Sequence, residues 1–203
     1  MTVSRLGVLF ATGAAALAIA GCNKAATTNE ANASGNETAA ANSAAPADPV
    51  TSAESAAPAS LAKNASIVTA DASGKMTEVR KGTNGWTCMP DSPTTPGPDP
   101  MCFDANAGKW IAAMLNHKPP PEGAVGMMYM LEGGTDASNT DPYATAPTAD
   151  NDWVKTGPHV MVVGSKELLA GYPSGAKPDT SVPYVMWAGT PYAHLMVPVK
   201  SGD

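Results

Sequence analysis

The sequence predicts a single small α+β domain with a mainly antiparallel sheet and one principal helix, preceded by a signal peptide and a disordered tether. Short apolar runs separated by turn residues recur from about residue 66 onward, which is typical of strands. One segment, 104–118, carries its apolar residues at helical spacing instead. Residues 23–60 contain no aromatic side chain, so the packed domain is expected to occupy 61–203.

Residues 1–21 have the pattern of an export signal. Arg5 precedes a largely apolar run at 6–20, which is too short to span a bilayer comfortably but suits a signal peptide. An ordinary secretory signal would explain this run equally well. The residues at the end of this run and just after it, Ile19, Ala20, Gly21 and Cys22, distinguish an ordinary secretory signal from a lipoprotein signal.

These four residues resemble the lipobox of bacterial lipoproteins, an aliphatic residue and two small residues before an obligatory cysteine. The resemblance implies cleavage before Cys22 and acylation of its sulfur and new amino group. Asn23, where an inner-membrane lipoprotein tends to have aspartate, favours the outer membrane, with the domain facing the periplasm. The partner so implied is the lipid bilayer itself, because several acyl chains give stable anchoring.

Residues 22–60 are predicted to be a disordered tether. The segment consists mainly of Ala, Asn, Thr, Ser, Glu and Pro, with Val50 as its one β-branched aliphatic residue. Such a composition buries too little apolar surface to offset the entropy of ordering the chain. An alanine-rich helix is the alternative, but polar residues, glycine and proline interrupt every alanine run. As a flexible chain the segment would span roughly 35 Å.

The charge of the chain argues against nucleic acid as a partner. The formal net charge is −6, and no cluster of lysine and arginine is present. The partner of the domain is therefore expected to be an unidentified envelope protein or a ligand.

Two cysteines remain once Cys22 is assigned to the lipid anchor. In an exported domain, Cys88 and Cys102 are expected to form a disulfide bond. The loop between them contains five prolines, and closing it stabilises the fold by about 3 kcal/mol in the simple entropy model. A redox or metal-binding pair is the alternative, but the spacing is neither C-x-x-C nor that of a zinc ribbon.

The elements of the domain follow from local patterns. Residues 66–70 and 76–80 form a predicted hairpin around the turn at 71–74. The principal helix begins after Asp104 as its cap and ends before three consecutive prolines. The remaining predictions are strands at 124–132, 159–164, 184–189 and 194–199 and a brief helix at 165–171. Because proline has no backbone N–H, Pro198 predicts either that the last strand lies at an edge of the sheet or that Pro198 lies at the end of the strand.

The loop 132–153 is the first candidate binding segment. It is long and rich in short polar side chains, among which four cluster within six residues: Asp136, Ser138, Asn139 and Asp141. Oxygen ligands at close spacing suit a hard cation such as Ca²⁺, although the EF-hand pattern is absent. The alternative is turn chemistry, in which such side chains bond nearby backbone amides.

A repeated His-x-Met spacing is the second candidate. Residues i and i+2 of a strand point to one face, so each histidine projects beside its methionine. Imidazole and thioether ligands together suit copper, particularly Cu(I). The alternative is core packing, which methionine also serves. The residues of this candidate metal set are His159, Met161, His194 and Met196.

No catalytic residue is assigned from the sequence. The chain lacks G-x-S-x-G, H-E-x-x-H and P-loop motifs. The leading hypothesis is therefore a noncatalytic, membrane-anchored envelope lipoprotein whose domain binds a ligand or partner, without an assigned cofactor. The alternatives are a periplasmic copper-binding protein and, third, an envelope hydrolase.

Overall fold

The computed structural model describes residues 48–71 and 73–200. The predicted signal peptide, Cys22 and the tether up to residue 47 lie outside the described residues. Over the ranges that are described, no helix has the length and apolar character needed to cross a membrane.

An eight-stranded sheet forms the centre of the domain, in the order β2-β1-β3-β4-β5-β8-β10-β9. Every neighbouring pair is antiparallel except β1 and β3. The fold prediction of a mainly antiparallel α+β domain is therefore confirmed. The strands of this sheet are β1 (Ser66–Ala70), β2 (Met76–Arg80), β3 (Thr87–Met89), β4 (Met101–Phe103), β5 (Gly126–Met130), β8 (His159–Val163), β9 (Tyr184–Met186) and β10 (His194–Pro198).

A separate two-stranded sheet consists of β6 (Ala137–Ser138) and β7 (Trp153–Val154). The predicted short helix at 165–171 is a single 3₁₀ turn, Glu167–Leu169. Strand β10 lies inside the sheet between β8 and β9, and Pro198 stands at its end, as the proline predicts.

The principal helix, α3 (Ala105–Leu115), packs on β5. It begins as predicted, with the Asp104 carboxylate accepting a hydrogen bond from Ala107 N at 2.8 Å. Gly126 allows the close approach of helix and strand, because a Cβ there would lie 2.3 Å from the backbone nitrogen of Ala107. The indole of Trp110 is buried on the inner side of this helix.

Two further helices, α1 (Pro49–Ser55) and α2 (Ala59–Ala62), correct the predicted tether boundary at residue 60. The packed domain begins at or before Asp48, whose carboxylate caps α1 by accepting from Thr51 N at 3.0 Å. The alanines of this segment do not form a pattern that identifies them as core residues in the sequence. Their small side chains nevertheless let a helix lie close against the sheet. Ala53 and Ala62 are fully buried.

The predicted disulfide is confirmed. Cys88 and Cys102 face each other across β3 and β4, and both are fully buried. The strands that hold them were not predicted, since each is only three residues long and adjoins the proline-rich loop.

Strand register divides the core between the two faces of the sheet, because residues directly opposite each other share a face. The disulfide face carries Ile67, Cys88, Cys102 and Tyr129 in one row and is covered by the alanines of α1 and α2. The methionine face lies on the other side. Its members are Met128, Met130, His159, Met161, Val163, Tyr184, Met186, His194 and Met196.

Candidate functional site

The four predicted metal ligands all lie on the methionine face, but not around one point. Met161 and Met196 are direct partners across β8 and β10. His159 lies opposite Pro198, four residues along β10 from His194. At about 3.4 Å per residue, this offset is about 14 Å of strand. The structure therefore brings the two methionines together and places the two histidines at opposite ends of the ladder.

His194 has two methionines beside it. Met186 is its direct partner on the neighbouring strand β9, and Met196 follows two residues later on the same face. Both methionines are buried. The sequence prediction missed Met186, because its place beside His194 depends on a strand order that local patterns do not reveal.

His159 has the same kind of surroundings. Met130 is its direct partner on β5, and Met161 follows two residues later. Met128 and Met130 lie two residues apart in the sequence, at the spacing that places both on one face of β5. Their position beside the strand that carries His159 follows only from the register of β5 and β8. The repeated His-x-Met spacing thus corresponds to a repeated local arrangement of one imidazole and two thioethers.

Both imidazoles are held in the same tautomer. Nδ1 of His159 lies 2.7 Å from the carbonyl oxygen of Gly157, and Nδ1 of His194 lies 3.0 Å from that of Tyr192. Because a carbonyl oxygen can only accept, Nδ1 donates in each case and Nε2 of the neutral ring carries a free lone pair. The lone pair belongs to the nitrogen that projects farthest from the strand.

Burial keeps both rings neutral. His194 is 1% exposed, and its burial lowers the pKa to about 4, with the charge of a protonated His159 acting in the same direction. The hydrogen bond to Tyr192 opposes this shift but does not reverse it. Burial also lowers the pKa of His159, which is 4% exposed. At neutral pH the Nε2 lone pairs are therefore available to a ligand.

Two buried polar atoms on the methionine face have no hydrogen-bond partner among the described residues. They are Nε2 of His194 and Oη of Tyr184. Tyr184 lies opposite Met196, on the same face as His194, and burial raises its pKa to about 12. Each such atom costs about 1–3 kcal/mol when it stays unpaired, so the protein keeps them at the expense of stability.

Aromatic rings enclose His194. The indole of Trp187 lies 4.9 Å from its ring and that of Trp110 lies 5.5 Å away, both at 72°. Trp187 has a left-handed backbone with φ of 56°, and two hydrogen bonds fix it there. Its backbone N–H donates to Asn139 O at 2.9 Å, and its indole Nε1–H donates to Ser138 O at 2.8 Å. Strain held in this way is common at binding sites.

Two grooves open close to this aromatic enclosure. The first has a volume of about 610 Å³ and is lined by Trp110, the proline run 119–121 and Lys166. The second, of about 690 Å³, shares Lys166 and Ala193 with it. Ala193 directly precedes His194, and Trp110 packs on its imidazole. Residues that line the first groove therefore also cover His194.

The polar loop at 136–141 serves turn chemistry. Ser138 Oγ donates to Asn151 O and accepts from Asp141 N, while Asn139 Nδ2 donates to the carbonyl oxygens of Gly175 and Ala176. The carboxylate of Asp141 accepts from Tyr143 N, and Asp136 is half-buried. These contacts match the turn alternative to the hard-cation site. The loop contributes to the site differently, by holding Trp187.

Neither buried histidine is paired as in a serine-hydrolase triad. Both Nδ1 atoms bond to backbone carbonyl oxygens. In a serine-hydrolase triad this nitrogen bonds to a carboxylate instead. Within 48–71 and 73–200, no three His, Cys, Asp or Glu side chains group as a metal site. The methionine face is of a different composition, since its sulfur atoms are thioethers.

Comparison with known protein families, with curated proteins and with solved structures finds no match for this chain.

Proposed function

We propose that this chain is a noncatalytic lipoprotein of the bacterial envelope whose domain binds a small ligand at His194. The acylated Cys22 would hold it in the outer membrane, facing the periplasm. The lipobox residues 19–22 support the anchor. The buried Cys88–Cys102 bridge supports an oxidising compartment, since disulfides persist in exported proteins.

The observation that carries the binding function is the buried, unpartnered Nε2 of His194. The protein fixes the tautomer through Tyr192 O, keeps the ring neutral by burial and packs it against two indoles that stack on each other. A ligand that bonds to Nε2 would remove the cost of the unpaired lone pair and would stabilise the folded state. The copper alternative is compatible with this centre, whereas no described contact favours the hydrolase alternative.

Native mass spectrometry of the detergent-solubilised full chain, purified anaerobically from envelopes, tests the binding function. The wild-type protein should carry a mass surplus that His194→Asn lacks. Asparagine retains a donor for Tyr192 O but has no atom in place of Nε2. Met127→Leu, on the other face of β5, is the matched control and should keep the surplus. An unliganded wild-type protein, or an equal surplus on His194→Asn, contradicts the proposal.

The anchor is tested separately by metabolic acyl labelling. Cys22→Ser should abolish incorporation of labelled fatty acid, because the sulfur that accepts the diacylglyceryl group is gone. Cys88→Ala serves as the control for loss of a cysteine elsewhere and should remain labelled. Continued labelling of the Cys22 variant would show that another residue is the acceptor.

A further inference from the structure

We propose that the methionine face holds two Cu(I) sites, one at His194 with Met186 and Met196, the other at His159 with Met130 and Met161. This inference rests on the proposed function, because it names the ligand class of the His194 centre and adds a second centre. It replaces a single four-ligand site, which the register does not form.

Strand geometry places each histidine within reach of its two methionines. Directly opposite residues have Cβ atoms about 4.5–5.5 Å apart, which applies to His194 with Met186 and to His159 with Met130. The second methionine of each set lies two residues along the strand, about 7 Å away. Methionine has three rotatable bonds beyond Cα, so its thioether can turn toward an ion at Nε2.

Contacts around Gly134 bring two members of the His159 set, the imidazole and Met130, close to one another. A Cβ built on Gly134 would lie 3.2 Å from Cε1 of His159 and 3.5 Å from Cε of Met130. The imidazole and the end of the methionine side chain therefore meet over the same point of backbone. A Cβ at this position would lie 2.9 Å from Oγ1 of Thr156 and would press on the imidazole, so glycine leaves room for the His159 ring.

The ligand types select a soft, singly charged ion. Thioether and neutral imidazole are the donors that suit Cu(I), whereas Ca²⁺ and Mg²⁺ require oxygen ligands. Neither set contains a carboxylate or thiolate to neutralise an ion, so a buried single charge costs less than a double charge. Copper would bind as Cu(I) and leave as Cu(I), so binding involves no electron transfer.

An approximate two-fold relation connects the two sites. Strands β8 and β10 are antiparallel, so exchanging them exchanges His159 with His194, Met161 with Met196 and the partner strand β5 with β9. Met161 and Met196, the inner methionine of each set, are direct partners at the centre. The relation accounts for the repeated His-x-Met spacing. A packing role alone would not require a histidine on either strand.

The two sites differ in their surroundings. His194 contacts the indoles of Trp110 and Trp187, whose faces and edges would exclude water and add a cation–π attraction. Cu(I) at His194 should therefore bind more tightly and quench tryptophan fluorescence. Copper at His159 should have a weaker effect on the fluorescence.

Anaerobic titration of the detergent-solubilised full chain with Cu(I), against a chromogenic Cu(I) chelator, tests the proposal. The wild-type protein should bind two equivalents. His194→Asn and His159→Asn should each bind one, and only His194→Asn should lose the fluorescence quenching. Met186→Leu and Met130→Leu should weaken the corresponding site at least about tenfold while keeping the packing volume. Met127→Leu, outside both sets, should still bind two.

Absence of saturable Cu(I) binding to the wild-type protein overturns the inference, as does a stoichiometry that neither histidine variant changes. A folded variant is recognised by its far-UV circular dichroism, and the leucine variants carry the test if an asparagine variant does not fold. If Cu(I) fails to bind while native mass spectrometry shows a different surplus that depends on His194, the copper inference fails and the proposed binding function stands.

Discussion

The two faces of the sheet differ in how their side chains pack. On the disulfide face, small alanines of α1 and α2 lie against a fully buried cystine. The Arg80 guanidinium donates to the carbonyl oxygens of Ala62 and Ala65 and pairs with Glu54, which fixes the helices to the sheet. This face combines small side chains with a covalent cross-link and a guanidinium that bonds to several partners.

The methionine face has the opposite character. Half of the ten buried residues in its core cluster are methionines, which are flexible, and two of its buried polar atoms have no partner in the described part of the chain. A core selected for stability alone would satisfy or remove those atoms. Under the proposed function, the disulfide face stabilises the domain, and the methionine face binds the ligand at a cost in stability.

The largest expected effect comes from removing the bridge. Cys88→Ala combined with Cys102→Ala should lower the free energy of unfolding by about 3 kcal/mol, because the unfolded chain gains the entropy of an open loop. For a domain of this size the melting temperature should fall by roughly 10 °C in differential scanning calorimetry. Ligand binding should persist at low temperature, since the bridge lies on the other face. Loss of binding in the folded variant would contradict the division between the faces.

Acid should destabilise the domain through the methionine face. The pKa of His194 is about 4 in the folded state against 6.5 as its ordinary value, so the unfolded chain binds more protons between these pH values. Stability is therefore full above about pH 6.5 and declines as the pH falls toward 4, by up to about 3 kcal/mol.

Urea denaturation at a series of pH values measures this slope. The titratable groups facing His194 on neighbouring strands are His159 on β8, whose pKa is also lowered by burial, and Tyr184 on β9, which does not titrate here. His194→Asn should remove most of the slope and His159→Asn a smaller share. A slope unchanged in His194→Asn would place the acid sensitivity elsewhere.

A smaller effect is expected at the guanidinium of the disulfide face. Arg80→Ala should cost about 2 kcal/mol, because the carbonyl oxygens of Ala62 and Ala65 lose charged hydrogen-bond donors. Hydrogen exchange should accelerate in α1 and α2 before the rest of the sheet. Glu54→Gln is the matched control, and as a partly exposed ion-pair partner it should cost less than about 1 kcal/mol. Equal losses in the two variants would mean that the ion pair, not the carbonyl contacts, holds the helices.

Local signals in the sequence predicted part of this architecture. The Asp104 cap and the following proline run delimit α3, and local patterns predicted six strands, β1, β2, β5, β8, β9 and β10. The disulfide followed from the number of cysteines left in a chain that is predicted to be exported. These features depend on neighbours within a few residues or on counting, which a single sequence contains.

The rest depended on contacts between distant segments. Alanines in α1 become core residues only because the cystine lies beneath them, and the composition of 22–60 resembles a linker throughout. The sequence also identified both histidines and their i+2 methionines. It did not predict Met130 and Met186 as members of the proposed sites, since the register of β5 and β9 against the histidine strands is set by the whole sheet.

The central claim is that Nε2 of His194 is a bare, ligand-binding nitrogen inside the core. Long-range ¹H–¹⁵N correlation spectra of the labelled, detergent-solubilised full chain observe it directly. At pH 7 the spectra should show His194 with a protonated Nδ1 and an unprotonated Nε2. The first equivalent of Cu(I) should then shift the Nε2 resonance while Nδ1 keeps its proton. A protonated Nε2, or an Nε2 resonance unmoved by Cu(I), would contradict the account.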